Sequence, residues 1–238
     1  MDQFEVAYQE AKLRDPGASY ARVSSNMIFR SLIEKGAQHA TLGTNLERKD
    51  EWESQGLQTF NRLLKFHKAS PKDRVLEFGC GSLRVAYHFI NFLNPHNFLG
   101  LDVISGFYEI GKLQLGPKML DAKKPNFAVI GSNSIESAIE FAADFVYLSG
   151  VAIHVHDDDA SDFFANLRMI THKRGTKIVM SAHIATTSFQ HVGTSWARPL
   201  NFYTDQLRGL RLLKFYPSAT RASAYGDYQV GYLEFVRD

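Results

Sequence analysis

Glu77-Phe78-Gly79-Cys80-Gly81 combines an acid with two glycines one residue apart. Glycine lets the chain turn sharply and lets its backbone approach a ligand closely. The helical stretch that follows offers free N–H groups at its start. A dinucleotide loop would read Gly-x-Gly-x-x-Gly and lay a pyrophosphate over that helix. Gly79-Cys80-Gly81-Ser82-Leu83-Arg84 lacks the third glycine, and Glu77 stands near where phosphates would lie. Both features count against NAD and favour a ligand that carries positive charge. Asp102 is the second acid of interest. It can accept two ligand hydroxyls in a bidentate way, or it can cap the helix expected from Ile104 onward.

Histidine is the side chain that takes up a proton near neutral pH. His154, His156, His183 and His191 all fall in the C-terminal half. His154 and His183 read equally as proton acceptors or as hydrogen-bonding scaffold, and His156 reads as scaffold. Asp157-Asp158-Asp159 suits the charged start of a helix. Alternate carboxylates at a helix start rarely bind metal, so no metal site is expected. Arg84 is a cation at a helix N-terminus, an unfavourable place. It calls for a carboxylate partner, such as Glu77 or a ligand's own carboxylate, or for a solvent-facing position or a salt bridge to an N-terminal helix.

The elements that would carry these residues are readable from periodicity. Asp50 to Lys68 places Trp52, Leu57, Phe60, Leu63 and Leu64 near helical spacing, and Pro71 ends it. Tyr20, Met27, Phe29, Leu32 and Ile33 share an earlier helix, with Gly36 and Gly43 punctuating the link. From Asp73 the pattern alternates. Strands are expected from Arg74 to Phe78, Asn97 to Leu101, Asn126 to Ile130, Asp144 to Leu148 and Thr176 to Met180. Helices are expected from Leu83 to Leu93, Ile104 to Leu115, Ser134 to Phe141 and Asp158 to Ile170. A long connector runs from Ser181 to about Tyr203. Two further strands, Leu210 to Tyr216 and Tyr228 to Val236, are separated only by Pro217 to Asp227. That is too short for a helical crossover, so they form an antiparallel pair. Alternating βα units imply a parallel sheet covered on both faces. Ligands of such sheets bind outside the C-terminal strand ends. The loops after Phe78, Leu101, Ile130, Leu148 and Met180 therefore share one rim.

Composition sets the outer bounds. A chain of 238 residues suits one α/β domain with a helical extension. Apolar residues at 45% and charged residues at 22% are an ordinary globular balance. A net charge of +2 gives no nucleic-acid or membrane footprint. The lone cysteine, Cys80, cannot form an internal disulfide, which fits a reducing compartment. Met1 to Glu5 has neither the basic region nor the apolar stretch of a signal peptide. A cytoplasmic protein is the expectation.

With its loop between a strand and a helix, Asp73 to Asp238 resembles the class I S-adenosylmethionine-dependent methyltransferases. Their first motif reads acidic-x-Gly-x-Gly, matched here by Glu77, Gly79 and Gly81. Leu83 stands where the family carries a third glycine. The resemblance implies an α/β, three-layer Rossmann-like sandwich. Its sheet would have seven strands in the order 3-2-1-4-5-7-6, mostly parallel with one antiparallel strand, plus N-terminal helices. Residues 1–70 would form a helical cap and residues 71–238 the methyltransferase domain.

The resemblance also implies roles. Glu77, Gly79, Cys80 and Gly81 would wrap the amino-acid end of S-adenosylmethionine, with Glu77 at the ammonium. Asp102 would hold the ribose hydroxyls, with Val103 beside it. Ser132 or Asn133 would contact adenine, unless Gly131-Ser132-Asn133 is only a turn and helix cap. Ser149 and His154 match the Ser/Glu-x-x-x-x-His segment of the small-molecule branch. The Asp/Asn-Pro-Pro-aromatic tetrad of base-methylating enzymes is absent. His154 and His183 are the candidate catalytic residues. Trp52, as a lid residue, with His191 and Trp196, would contact the substrate. The expected function is methyl transfer to an O or N atom of a small molecule, a natural product or sugar-like metabolite. S-adenosylhomocysteine would be the product. The alternative is a non-catalytic S-adenosylmethionine-binding regulatory or scaffold protein. A small-molecule acceptor is the expected partner, without nucleic acid or membrane, and a homodimer is left open.

Overall fold

The computed structural model describes residues 2–35 and 49–238, so Gly36 and Gly43 lie outside it. At the centre is β1 (Val75–Phe78), whose four residues are all buried. Side chains alternate across a strand. Leu76 and Phe78 therefore enter the core on one face, and Val75 enters the core on the other. Such a strand needs helices on both sides. Parallel to it run β2 (Phe98–Asp102) and β4 (Phe145–Leu148), then β3 (Asn126–Val129) and β5 (Lys177–Ile184) further out. A separate ribbon is made by β6 (Phe189–Val192) and β7 (Ser195–Ala197). The chain ends in β8 (Leu210–Ser223) and β9 (Gly226–Arg237), with β9 antiparallel to both β5 and β8.

The order β3-β2-β1-β4-β5-β9-β8 is the expected topology with one reversed strand. Its last two numbers differ from 7-6 only because the ribbon takes two labels. The sequence shows that ribbon merely as a connector, since three- and four-residue strands are too short to display a period.

Among the described residues, the helices before β1 are α1 (Gln3–Arg14), α2 (Tyr20–Lys35) and α3 (Lys49–Phe66). Between strands lie α4 (Ala86–Phe92), α5 (Ser105–Lys123), α6 (Ser132–Phe141), α7 (Asp157–Ile170) and α8 (Leu200–Gln206). One sheet face is covered by α3, α4 and α5, the other by α6, α7 and α8. Local differences from expectation have local causes. The helix expected from Leu83 starts at Ala86, because Leu83 takes a left-handed φ of +63° that a right-handed helix cannot contain. The helix expected to end at Leu115 continues to Lys123 across a kink at Gly116-Pro117. Most of Pro217 to Asp227 is strand, and the hairpin turns between Ser223 and Gly226. Pro217 is tolerated there because β8 is an edge strand with a register shift beside it.

The acidic run at the start of α7 does more than begin a helix. The Asp159 carboxylate accepts from Ala21 N at 2.7 Å, Ser19 Oγ at 3.0 Å and Tyr20 N at 3.3 Å. It thereby caps α2 from a different element, satisfying donors that a helix start leaves open. Asp158 accepts from the Tyr8 hydroxyl at 2.8 Å and pairs with Lys12. Asp157 pairs with the buried Arg198 at 2.6 Å. Tyr8, Tyr20 and Trp196 form a small core beneath α1 and α2, with the His156 ring stacked on Tyr20 at 4.6 Å.

Replacing Asp159 with alanine removes this cap and should cost ~1–2 kcal/mol. Hydrogen exchange should speed up within residues 20–35 and stay slow in β1 and β4. Equal acceleration in the sheet would show that the cap does not act locally.

Candidate active site

The loop after β1 is fastened to the end of β2. Gly79 N and Cys80 N both donate to the Leu101 carbonyl, at 2.7 and 3.0 Å. Gly81 N donates to Asp102 Oδ2 at 2.7 Å. This path requires left-handed backbone at Gly79 (φ +85°) and Gly81 (φ +50°), which glycine adopts at no steric cost. Leu83 adopts it too, at a cost of ~1–2 kcal/mol, and its fully buried side chain anchors it. A Cβ at Gly79 would lie 2.4 Å from Val151 Cγ2. The loop is thus a tight floor.

Above this floor lies a cleft holding about 870 Å³ of open space. Gly79 and Gly81 line it from the first loop, Asp102 and Val103 from the second. Ser149, Gly150, Val151 and His154 line it from the segment after β4. Ala21, Ser24, Ser25 and Ile28 of α2 line it as well. Two carboxylates, Asp102 and Asp159, are among the described lining residues, and neither lysine nor arginine is.

The acids are unusual in their surroundings. Glu77 is only 3% exposed, and its Oε2 has no hydrogen-bond partner. The Tyr147 hydroxyl lies near enough to influence its ionisation, yet is itself unpartnered. Burial pushes the Glu77 carboxyl well above the usual range, with Asp102 adding to the rise and Arg84 opposing it. Burial also raises Asp102 to about 6, against the pull of N–H groups from Gly81, Ile104 and Val103. The half-buried Arg84 donates to Gln55 Oε1 at 2.6 Å, so the cation foreseen at this helix start is held by α3.

Of the residues singled out in the sequence, Gly79, Gly81, Asp102, Val103, Ser149 and His154 meet in the cleft. Glu77 and Cys80 are buried beside them, with Cys80 Sγ packed toward Gly100. Ser132 and Asn133 are exposed at the start of α6 and do not line the cleft. Ser134 Oγ receives Gly131 N there, and Ile130 takes the place at the rim. Trp52 is fully buried on the far side of the loop, donating to Ser82 Oγ at 3.3 Å. It is a packing residue of α3 rather than a wall of the cleft. Trp196 packs against Tyr20 and His156. His183 Nδ1 and His191 Nε2 meet at 2.8 Å, with His191 stacked on Tyr228. Burial, then His191 and His154, lowers His183 to about 4. None of Trp196, His183 and His191 lines the cleft.

The sequence made residues 1–70 a cap but did not single out the α2 side chains that line the cleft. Their signal was present: Ala21, Ser24, Ser25 and Ile28 follow i, i+3, i+4, i+7, a stripe of small residues at helical spacing. Thr194, also in the cleft, carries no such signal.

No family model matches the chain, and no curated protein matches it by sequence. Solved structures match its fold. Magnesium protoporphyrin IX methyltransferase (ChlM) from Synechocystis PCC 6803, with bound SAM, has a TM-score of 0.57 at 13% identity over 100% of this chain and 98% of that one. The glycopeptide N-methyltransferase MtfA, complexed with sinefungin, has a TM-score of 0.55 at 12% identity over 77% and 94%. The [4+2]-cyclase SpnF has a TM-score of 0.57 at 10% identity over 76% and 80%. The fold is therefore the class I, Rossmann-like methyltransferase fold.

Replacing Gly79 with alanine should destabilise the protein by ~1–3 kcal/mol, through the forced φ and the clash with Val151. Thermal unfolding will measure it; an unchanged Tm would mean the loop has another way to close.

Proposed function

We propose that this protein is an S-adenosylmethionine-dependent methyltransferase acting on an O or N atom of a small molecule. The observation that carries the proposal is the charge of the cleft. Carboxylates flank the glycine loop, and among the described lining residues no cation offsets them. A pyrophosphate would be repelled there, whereas a ligand with sulfonium and ammonium groups is complementary.

The residues fit such a group. The unpartnered Glu77 Oε2 is a costly feature unless a donor arrives, and an ammonium is a donor. Asp102 would take the ribose hydroxyls, having acceptor capacity beyond its backbone bonds. Val103 and Ile130, both in the cleft, would wall the adenine in place of Ser132 and Asn133. Gly79, Gly81 and Ser149 would border the methionine chain. The cofactor supplies an electrophilic methyl group and leaves as S-adenosylhomocysteine. The protein's part is to align the acceptor, keep water out and take a proton. In this reading residues 1–70 act as the cap through α2, whose small side chains roof the cleft. Ser24, Ser25, Ile28, Thr194 and His154 would border the acceptor. Their neutral, compact surface suits a small molecule better than a polyanion, and fold neighbours act on a porphyrin and a glycopeptide.

A fold shared with a cyclase keeps a second outcome in view, an S-adenosylmethionine-binding protein without methyl transfer. Calorimetry and turnover separate the two. S-adenosylmethionine and S-adenosylhomocysteine should bind and NAD should not; silence with the first two ends the proposal. A metabolite screen with labelled cofactor then reads transfer, and binding without any labelled product favours the second outcome. Asp102→Ala should weaken cofactor binding by ~1–3 kcal/mol. Affinity should also depend on pH with a definite sign. The Asp102 carboxyl, raised from 3.8 to about 6, is ionised above that pH and protonated below it. Hydroxyls bind the ionised form better, so affinity should be flat above pH 6 and fall as pH drops through it. Titrations in which affinity rises on acidification would place the ribose elsewhere.

A further inference from the structure

His154 closes the 3-10 turn Ala152–His154 at the acceptor end of the cleft. Three oxygens surround its Nδ1: the Thr194 carbonyl at 2.9 Å, the Thr194 hydroxyl at 3.0 Å and the Ser195 hydroxyl at 3.3 Å. A hydroxyl can donate or accept, but a carbonyl only accepts. At 2.9 Å from the carbonyl, the hydrogen must be supplied by the ring. We infer that Thr194 holds His154 in its Nδ1–H tautomer and so makes Nε2 the base that takes the acceptor's proton. This rests on the methyl-transfer reading above.

The carbonyl is well fixed. Thr194 follows Gly193, whose φ of +45° turns the ribbon from β6 to β7. The Gln190 amide donates to the Gly193 carbonyl and, at 2.9 Å, to Asp2 Oδ2. Asp2 in turn caps α1 through Phe4 N and Glu5 N. The ribbon turn is therefore tied to α1 on one side and to His154 on the other. His183 is a poorer base. It lies off the cleft, its Nδ1 is engaged by His191, and burial keeps it neutral.

The transfer balances simply. The acceptor's O–H or N–H bond breaks, and the acceptor atom's electron pair forms the bond to the methyl carbon. The S–CH3 pair stays on sulfur, and the proton goes to Nε2. Thr194 is thus a positioning residue, acting through the imidazole as a buried carboxylate or carbonyl does when it sets a histidine tautomer.

Histidine-selective 15N NMR on the full chain tests this, with His154 assigned by the signal lost in His154→Asn. The neutral ring should carry its proton on Nδ1. Thr194→Val and Ser195→Ala remove the hydroxyls but keep the carbonyl, and each should leave the tautomer unchanged. A proton on Nε2 instead, in the parent chain or either variant, overturns the inference.

A second titration probes the role. S-adenosylmethionine and S-adenosylhomocysteine differ by a methyl group and one positive charge. If Nε2 faces the transfer point, the His154 titration midpoint should be lower with the former by about one unit or more. Among the described residues, the titratable groups near His154 and its cleft include His183 on β5, His191 on β6 and Asp159 on α7. They are the same in both complexes and cancel. Equal midpoints overturn the base role. If calorimetry finds neither ligand bound, the methyl-transfer reading fails and takes the base role with it, while the tautomer is still read separately.

Discussion

Three backbone N–H groups hold the loop after β1 against the end of β2: Gly79 and Cys80 on the Leu101 carbonyl, and Gly81 on the Asp102 carboxylate. Much of the site follows from that fastening. It forces the left-handed backbone that glycine permits. It draws Asp102 out of water and fixes where its remaining acceptor sites can point. It buries Glu77 beneath the loop. It also brings Val151 down onto Gly79, so the segment after β4 lies directly over the floor.

These arrangements cost stability and are concentrated where a ligand would be held. A buried carboxyl oxygen without a donor, an acid raised toward neutrality and a leucine in left-handed backbone are each unfavourable in isolation. The surrounding core is dense enough to sustain them. Leu76, Phe78, Phe145 and Tyr147 are all essentially inaccessible to solvent. Strain and desolvation gathered at one rim, inside a well-packed sandwich, are the physical signature of a binding site rather than of a defective fold.

The second organising feature is the Asp157-Asp158-Asp159 run. As a helix start it needs only the macrodipole to explain it. In three dimensions each carboxylate holds a different element: Arg198 beyond β7, Tyr8 and Lys12 of α1, and the N-terminus of α2. That docking lays the stripe of small residues on α2 across the cleft. The same helices brace the ribbon turn, through Asp2 and Gln190, that orients His154. The roof of the cleft and the orientation of its histidine thus share one mechanical support.

The sequence by itself determined the sheet, its reversed final strand, the glycine loop and the acid at the end of β2. These are local features: a strand buried on both faces shows as a short apolar run bounded by turn residues, and a loop that needs positive φ selects glycine. Leu83 was legible as a departure, though not as a residue that keeps a glycine-like backbone. The tertiary structure alone decided what stands opposite the loop. Trp52 looked like a lid and is core, because α3 packs beside α4 on the sheet and turns Trp52 toward Ser82 and Tyr87. Ser132 and Asn133 looked like adenine contacts and face solvent, because α6 begins directly after Gly131. The roof from α2, the cap from Asp159 and the Thr194 carbonyl on His154 join residues far apart in the chain. Such pairs leave no period and no fixed spacing, so they come into being only when the chain has folded.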